Sequence, residues 1–211
     1  MRSMIVAVAI ASLAIAARAE ARGFQLGPKF AISAPTGDFG DALVPGIDAG
    51  ITVNFMEKPT AGVGVDLCYH RWSASQDANA SVDAFLSSLS GTTITGSKGT
   101  VTAVQTTLHV KLMPPVSGPI VPWVQVGMGA YRVNRILELP EAQLRAAGWE
   151  VQYRAGDDVT YELGYVGDIG FDTDTRMRFG LDASYHFLPE QTLRTNVTAF
   201  TIGVHMLFGS R

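Results

Sequence analysis

The sequence predicts an eight-stranded antiparallel up-and-down β-barrel that crosses a membrane, and three observations predict it. Eight segments alternate with period two, the periodicity of a strand, and one parity of every segment is apolar and free of charge. The opposite parity is small and polar, not rich in Lys and Glu, which suits a crowded lumen better than a water-facing sheet. The connections alternate in length: residues 56–60, 113–119 and 172–175 are short, whereas 73–100 and 134–158 are long, so short turns and long loops fall on opposite rims.

Composition narrows the alternatives. Of 211 residues, 47% are hydrophobic and 17% charged, with a mean hydropathy of +0.18, which is too apolar for disorder. Lysine occurs only as Lys29, Lys58, Lys98 and Lys111, so there is no basic tract for a phosphate backbone, and nucleic acid is excluded as a partner. Cys68 stands alone, so no intrachain disulfide supports the fold, and no Cys/His spacing resembles a metal site. No cofactor is expected.

Residues 1–19 read as an export signal. Met1 and Arg2 give a positive start, Met4 to Ala17 is small and apolar, and Ala17-Arg18-Ala19 has the small-x-small form of a cleavage site. The run is shorter than the roughly 20 apolar residues a spanning helix needs. Removal takes away Arg2 and Arg18, moving the formal charge from -3 to -5 and leaving residues 20–211 as one barrel domain.

In chain order the apolar rows are Phe24, Leu26, Phe30, Ile32; Ile47, Ala49, Ile51, Val53, Phe55; Val63, Val65, Leu67, Tyr69; and Val104, Leu108, Val110, Leu112. They continue as Val124, Val126, Met128, Ala130; Tyr161, Leu163, Tyr165, Ile169; Met177, Phe179, Leu181, Ala183, Tyr185; and Phe200, Ile202, Val204, Met206, Phe208. Five apolar positions cover about nine residues, which at ~3.3 Å each and a tilt near 40° is roughly 23 Å, close to the ~25 Å apolar band of an outer-membrane barrel. Aromatics collect at both ends of the rows, Phe24, Phe55, Phe171 and Phe208 at one rim and Tyr69, Tyr161 and Tyr185 at the other, as interfacial girdles do. A soluble lipocalin-like barrel or sandwich is the competing architecture, since it too has one apolar face.

Two patterns carry a family resemblance. Gly27-Pro28-Lys29-Phe30-Ala31-Ile32-Ser33 followed by Pro35-Thr36-Gly37-Asp38-Phe39 looks like a first strand entering an outer loop. Thr201, Gly203, Met206 and Phe208 fit a polar-x-Gly-x-x-apolar-x-aromatic ending, although Gly209, Ser210 and Arg211 follow the aromatic. With these, residues 20–211 resemble the small eight-stranded outer-membrane barrels, the group of the OmpA transmembrane domain, OmpX and OmpW-like proteins often labelled porin-family. The resemblance implies a Gram-negative outer membrane, contact with its lipid and lipopolysaccharide, and delivery by periplasmic chaperones and the barrel assembly machinery, which would read Thr201, Gly203, Met206 and Phe208 as the assembly signal.

Buried lumen charges must be paired, because an isolated one costs several kcal/mol. The expected network is Lys29, Lys111 and Arg178 against Asp48, Asp66, Glu162, Asp168 and Asp182, with Asp168 opposite or diagonal to Arg178 across the 172–175 turn. It reads either as a plug or as a gated path for small solutes. His70 and His186 are expected near the outer rim on opposite walls, His109 and His205 near the inner rim, as polar filling and not as ligands. Ser184, His186 and Glu190 invite a catalytic reading, but no base or oxyanion donor is evident, so no catalytic residue is assigned.

In the outer loops, Val82, Phe85, Leu86 and Leu89 recur at helical spacing with Asn79 or Ser81 as cap, and Pro140 to Ala147, ended by Gly148, suggests a second short helix. Such helices either bind a surface partner or lipid headgroups, or fold over the mouth as a lid. The function expected is a small non-enzymatic surface protein serving envelope integrity or recognition, with a narrow OmpW-like channel as the alternative.

Overall fold

The computed structural model describes residues 23–150, 158–175, 177–189 and 196–209. The export signal and its cleavage site lie outside them, as does Glu190.

The strands are β1 (Phe24–Thr36), β2 (Leu43–Lys58), β3 (Ala61–Ala74), β4 (Lys98–Leu112), β5 (Ile120–Glu138), β6 (Asp158–Thr173), β7 (Met177–Leu188) and β8 (Val197–Gly209). Each pairs antiparallel with its sequence neighbours, and β1 pairs with β8, so the barrel is closed and has no edge strand. The connections carry three short helices, α1 (Asp38–Ala42), α2 (Gln76–Ser90) and α3 (Glu141–Ala146), all on the rim where β1, β3 and β5 end.

Strand geometry turns the alternation into two surfaces. On β4, Leu108 is 66% exposed while its neighbour Thr107 is fully buried, and the same contrast runs around the wall. The outer face is a continuous apolar belt, far larger than the patches a water-soluble monomer shows, so lipid is its solvent. No helix among the described residues is long and apolar enough to cross a membrane; the strands do so.

The glycines of the inner row have a steric cause. A Cβ on Gly64 would sit 2.3 Å from Nε2 of His109, and one on Gly180 would sit 2.2 Å from Nε2 of His205, so these positions make room for imidazoles in a narrow lumen. A bulge between Val44 and Ile47 adds one residue to β2. Leu43, which unbroken alternation would turn toward lipid, is thereby buried inside.

Candidate functional site

The site the fold builds is the lumen, which has three tiers. In the middle tier, Lys29 Nζ lies 3.1 Å from Asp182 Oδ2, and the other oxygen of Asp182 meets His205 Nδ1 at 2.9 Å. His205 Nε2 reaches Asp172 Oδ1 at 2.7 Å, so both ring nitrogens face carboxylates, an arrangement in which both donate. Asp172 also accepts from Lys111 Nζ at 3.0 Å and from the Trp123 indole at 2.8 Å, while the Lys111 ammonium sits 4.3 Å from the Trp123 ring centre. A second branch runs through Gln125, whose Nε2 donates to Asp66 at 3.0 Å and to Asp168 at 2.8 Å. His109 bridges Asn54 at 2.8 Å and Asp66 at 3.3 Å. Lys29 lines two small cavities, one of about 10 Å³ that reaches up to His70 and Asp48 and one of about 20 Å³ that reaches down to Lys111 and His205; by volume each is roughly the size of one water.

Toward the loops the lumen becomes apolar. Leu43, Trp72, Val101, Tyr131, Val133 and Leu188 form one buried cluster across the mouth, with Phe39 of α1 edge-on to Trp72 at 5.8 Å between ring centres. Under it, His70 stacks on Trp72 at 5.5 Å, stands 2.9 Å from Asp48 and bonds Gln105 at 2.7 Å. Toward the turns, Met56, Met113, Val121 and Trp123 form a smaller apolar cluster.

Lys29, Asp48, Asp66, Lys111, Glu162, Asp168, Arg178 and Asp182 all face inward, as expected. Their partners differ. Asp168 and Arg178 do not meet, because β6 runs on to Thr173 and the chain reverses between Thr173 and Met177. Asp168 therefore faces Ser184, and Arg178 lies six residues further along β7, about 20 Å at strand rise. Both carboxylate oxygens of Glu162 are buried without a hydrogen-bond partner among the described residues, so Glu162 is not a member of the paired network. Asp172, assigned to the turn by sequence, is instead the hub; extending the inward parity of Glu162 and Asp168 by two steps of two would have found it.

His70 on β3 and His186 on β7 stand on opposite walls, and the lumen is narrow enough that their rings meet edge to face at 5.3 Å. Ser184 donates to Asp182 at 3.4 Å while His186 bonds the Tyr131 hydroxyl at 3.1 Å, so the serine and the histidine are not paired as nucleophile and base. On β8, Thr201 is buried inside, Gly203 packs against β1, Met206 is half-buried, and Phe208 is 44% exposed at the inner rim opposite Met177.

The outer loops are ordered by side-chain caps. Helix α2 begins earlier than expected, with Ser75, not Asn79 or Ser81, accepting from Ala78 N–H at 3.1 Å, and ends at Gly91 in the left-handed region. Asp83 accepts from the backbone of Gly96 at 2.9 Å and Ser97 at 3.0 Å. Gln143 of α3 makes two hydrogen bonds to the backbone of Thr95, which joins the second loop to the third. Helix α2 buries no residue: Val82 and Leu86 are half-buried, while Phe85 is 62% and Leu89 52% exposed. The lid on the mouth is thus Phe39 and Leu43 beside Trp72, not the row Val82, Phe85, Leu86 and Leu89.

No protein-family model matches the sequence, and no curated protein matches it. Solved structures do match the fold. Neisserial surface protein A aligns with a TM-score of 0.58 at 10% identity over 89% of this chain and 97% of that one. Ail, the attachment invasion locus protein of Yersinia pestis, aligns at 0.50 and 11% identity over 89% and 100%. The outer membrane protein OprG from Pseudomonas aeruginosa aligns at 0.50 and 15% identity over 90% and 97%. The chain has the fold of the small eight-stranded outer-membrane barrels, and its lipid-facing belt and closed hydrogen bonding make it an outer-membrane-type β-barrel.

Proposed function

We propose that the protein is a non-enzymatic outer-membrane barrel with a sealed lumen, serving envelope integrity or surface recognition through its outer loops. The observation that carries this reading is closure at both ends: the charged middle tier lies between the Trp72 cluster and the Met56 cluster, and its cavities are only about water-sized. Recognition would fall to the platform of α2 and α3, where Phe85 and Leu89 stand exposed on a helix that Asp83 and Gln143 hold in place.

Single-channel recording of the refolded protein in planar bilayers tests the seal. No conductance is expected from the unmodified chain; steady conductance would favour the alternative, a narrow OmpW-like channel for small solutes. What favours that alternative is the surplus of lumen carboxylates, Asp48, Asp66, Glu162, Asp168, Asp172 and Asp182 against Lys29, Lys111 and Arg178.

The same reading assigns Thr201, Gly203, Met206 and Phe208 to recognition by the barrel assembly machinery, after periplasmic chaperones have carried the chain. Phe208→Ala should lower the yield of folded protein in cells while leaving refolding into detergent unchanged; equal cellular yield removes the assignment.

A further inference from the structure

Among the described residues the outward face of the wall carries no charge in its apolar belt, and at the outer rim two arginines break the pattern. Arg71 of β3 follows Tyr69 on the outward parity and lies level with Ile47 and Thr102. Arg132 of β5 lies level with Val104 on one side and Tyr161 on the other. Both are exposed, and among the described residues neither has a hydrogen-bond or ion-pair partner. The other exposed arginines described differ: Arg135 pairs with Asp158 at 3.4 Å and Arg145 with Glu141 at 3.2 Å. At the same height the far wall offers Ala34 and Thr36 on β1, Phe187 on β7 and Thr198 on β8, none of them charged.

The spacing suits one ligand. Arg71 and Arg132 flank β4, two interstrand steps or about 10 Å apart laterally and about 7 Å along the strand, a separation that two extended arginine side chains can bridge to one ligand. Tyr69 and Tyr161 mark this height as the level of the headgroups, where a guanidinium meets phosphate and not hydrocarbon. A planar guanidinium binds phosphate oxygens in a fork, and a phosphomonoester carries about -1.5 to -2 charge, enough to engage two forks at once.

We propose that Arg71 and Arg132 form a clamp for a phosphomonoester on an outer-leaflet lipid headgroup. This deepens the membrane reading above and is independent of whether the lumen conducts.

The test is thermal unfolding of the full-length folded protein in phosphatidylcholine vesicles, with or without phosphatidic acid as the phosphomonoester lipid, with phosphatidylglycerol as a phosphodiester, and with inorganic phosphate as the free ion. Phosphatidic acid should raise the midpoint more than phosphatidylglycerol does, and inorganic phosphate should not raise it. Arg71→Gln and Arg132→Gln should each lose at least half of the rise and the double variant nearly all of it. Arg71→Lys, which keeps the charge and loses the fork, should retain part, and Arg135→Gln should retain all. An equal rise in the double variant, or an equal rise with phosphatidylglycerol or inorganic phosphate, would overturn the clamp. Folding without any phosphatidic-acid shift defeats the clamp alone, whereas failure to fold into phosphatidylcholine defeats the membrane reading and the clamp with it.

Discussion

Between Trp72 and Lys111 the lumen changes what fills it. The outer tier fills space with apolar side chains, whose attraction is non-directional and survives small shifts of position. The middle tier fills it with charges that satisfy one another only in one register: Lys111 and Trp123 on Asp172, His205 between Asp172 and Asp182, Lys29 on Asp182. One barrel thus holds a tolerant filling above a specific one. A substitution in the first should cost packing in proportion to the volume lost, and in the second it should cost according to what its partner is left with.

The largest expected effect tests the specific filling. Lys111→Met leaves Asp172 without its ammonium and should cost about 3 to 5 kcal/mol, reduced by whatever lumen water reaches the carboxylate. Adding Asp172→Leu should recover much of that loss, as a hydrophobic replacement of a buried pair does, and urea unfolding in lipid vesicles would measure the coupling by a double-mutant cycle. Additive losses would place this tier on the same footing as the outer one. Trp72→Ala should cost about 3 kcal/mol and remove the lid over His70, with no comparable coupling to Lys111 because the two tiers share no contact in the network described. Conductance appearing in Trp72→Ala alone would locate the seal in the outer tier.

Leu181→Arg probes the opposite face of the same wall. Leu181 is 45% exposed toward lipid near mid-height, and a charge there should cost about 2 to 4 kcal/mol in a bilayer. A negligible change in lipid would sink the assignment of this face. The smallest effect is local: Asp83→Asn weakens the acceptor for the Gly96 and Ser97 amides and should lower their hydrogen-exchange protection by about 1 kcal/mol while leaving global stability unchanged.

Sequence made the wall legible because a period of two is a local property. Each of the eight rows could be assigned from its own residues, as could the ends of α3 from Pro140 and Gly148. Contacts across the lumen were not legible, because they depend on the register accumulated around the whole barrel. An error of three residues in the centre of the β6–β7 hairpin was enough to set Asp168 against Arg178 instead of Ser184. The inward turn of Leu43 depends on the β2 bulge, which parity counting cannot see. The apolar mouth, by contrast, was within reach, since Trp72 continues the parity of Asp66, Cys68 and His70, and Val101 and Ala103 continue that of Gln105 and Thr107.

The seam between β1 and β8 has a consequence in time. Thr36 and Thr198, joined across it by hydroxyl hydrogen bonds of 2.7 and 2.9 Å, stand 162 residues apart in the chain. Until β8 is in place, β1 has an open edge and nothing to close against, so a partly folded chain is an unfinished sheet with one greasy side. Loop closure over that distance must precede the contacts that reward it, which makes folding slow and leaves few useful halfway states. A chain in which β8 has not yet met β1 exposes both its apolar face and an edge on which a second copy can pair.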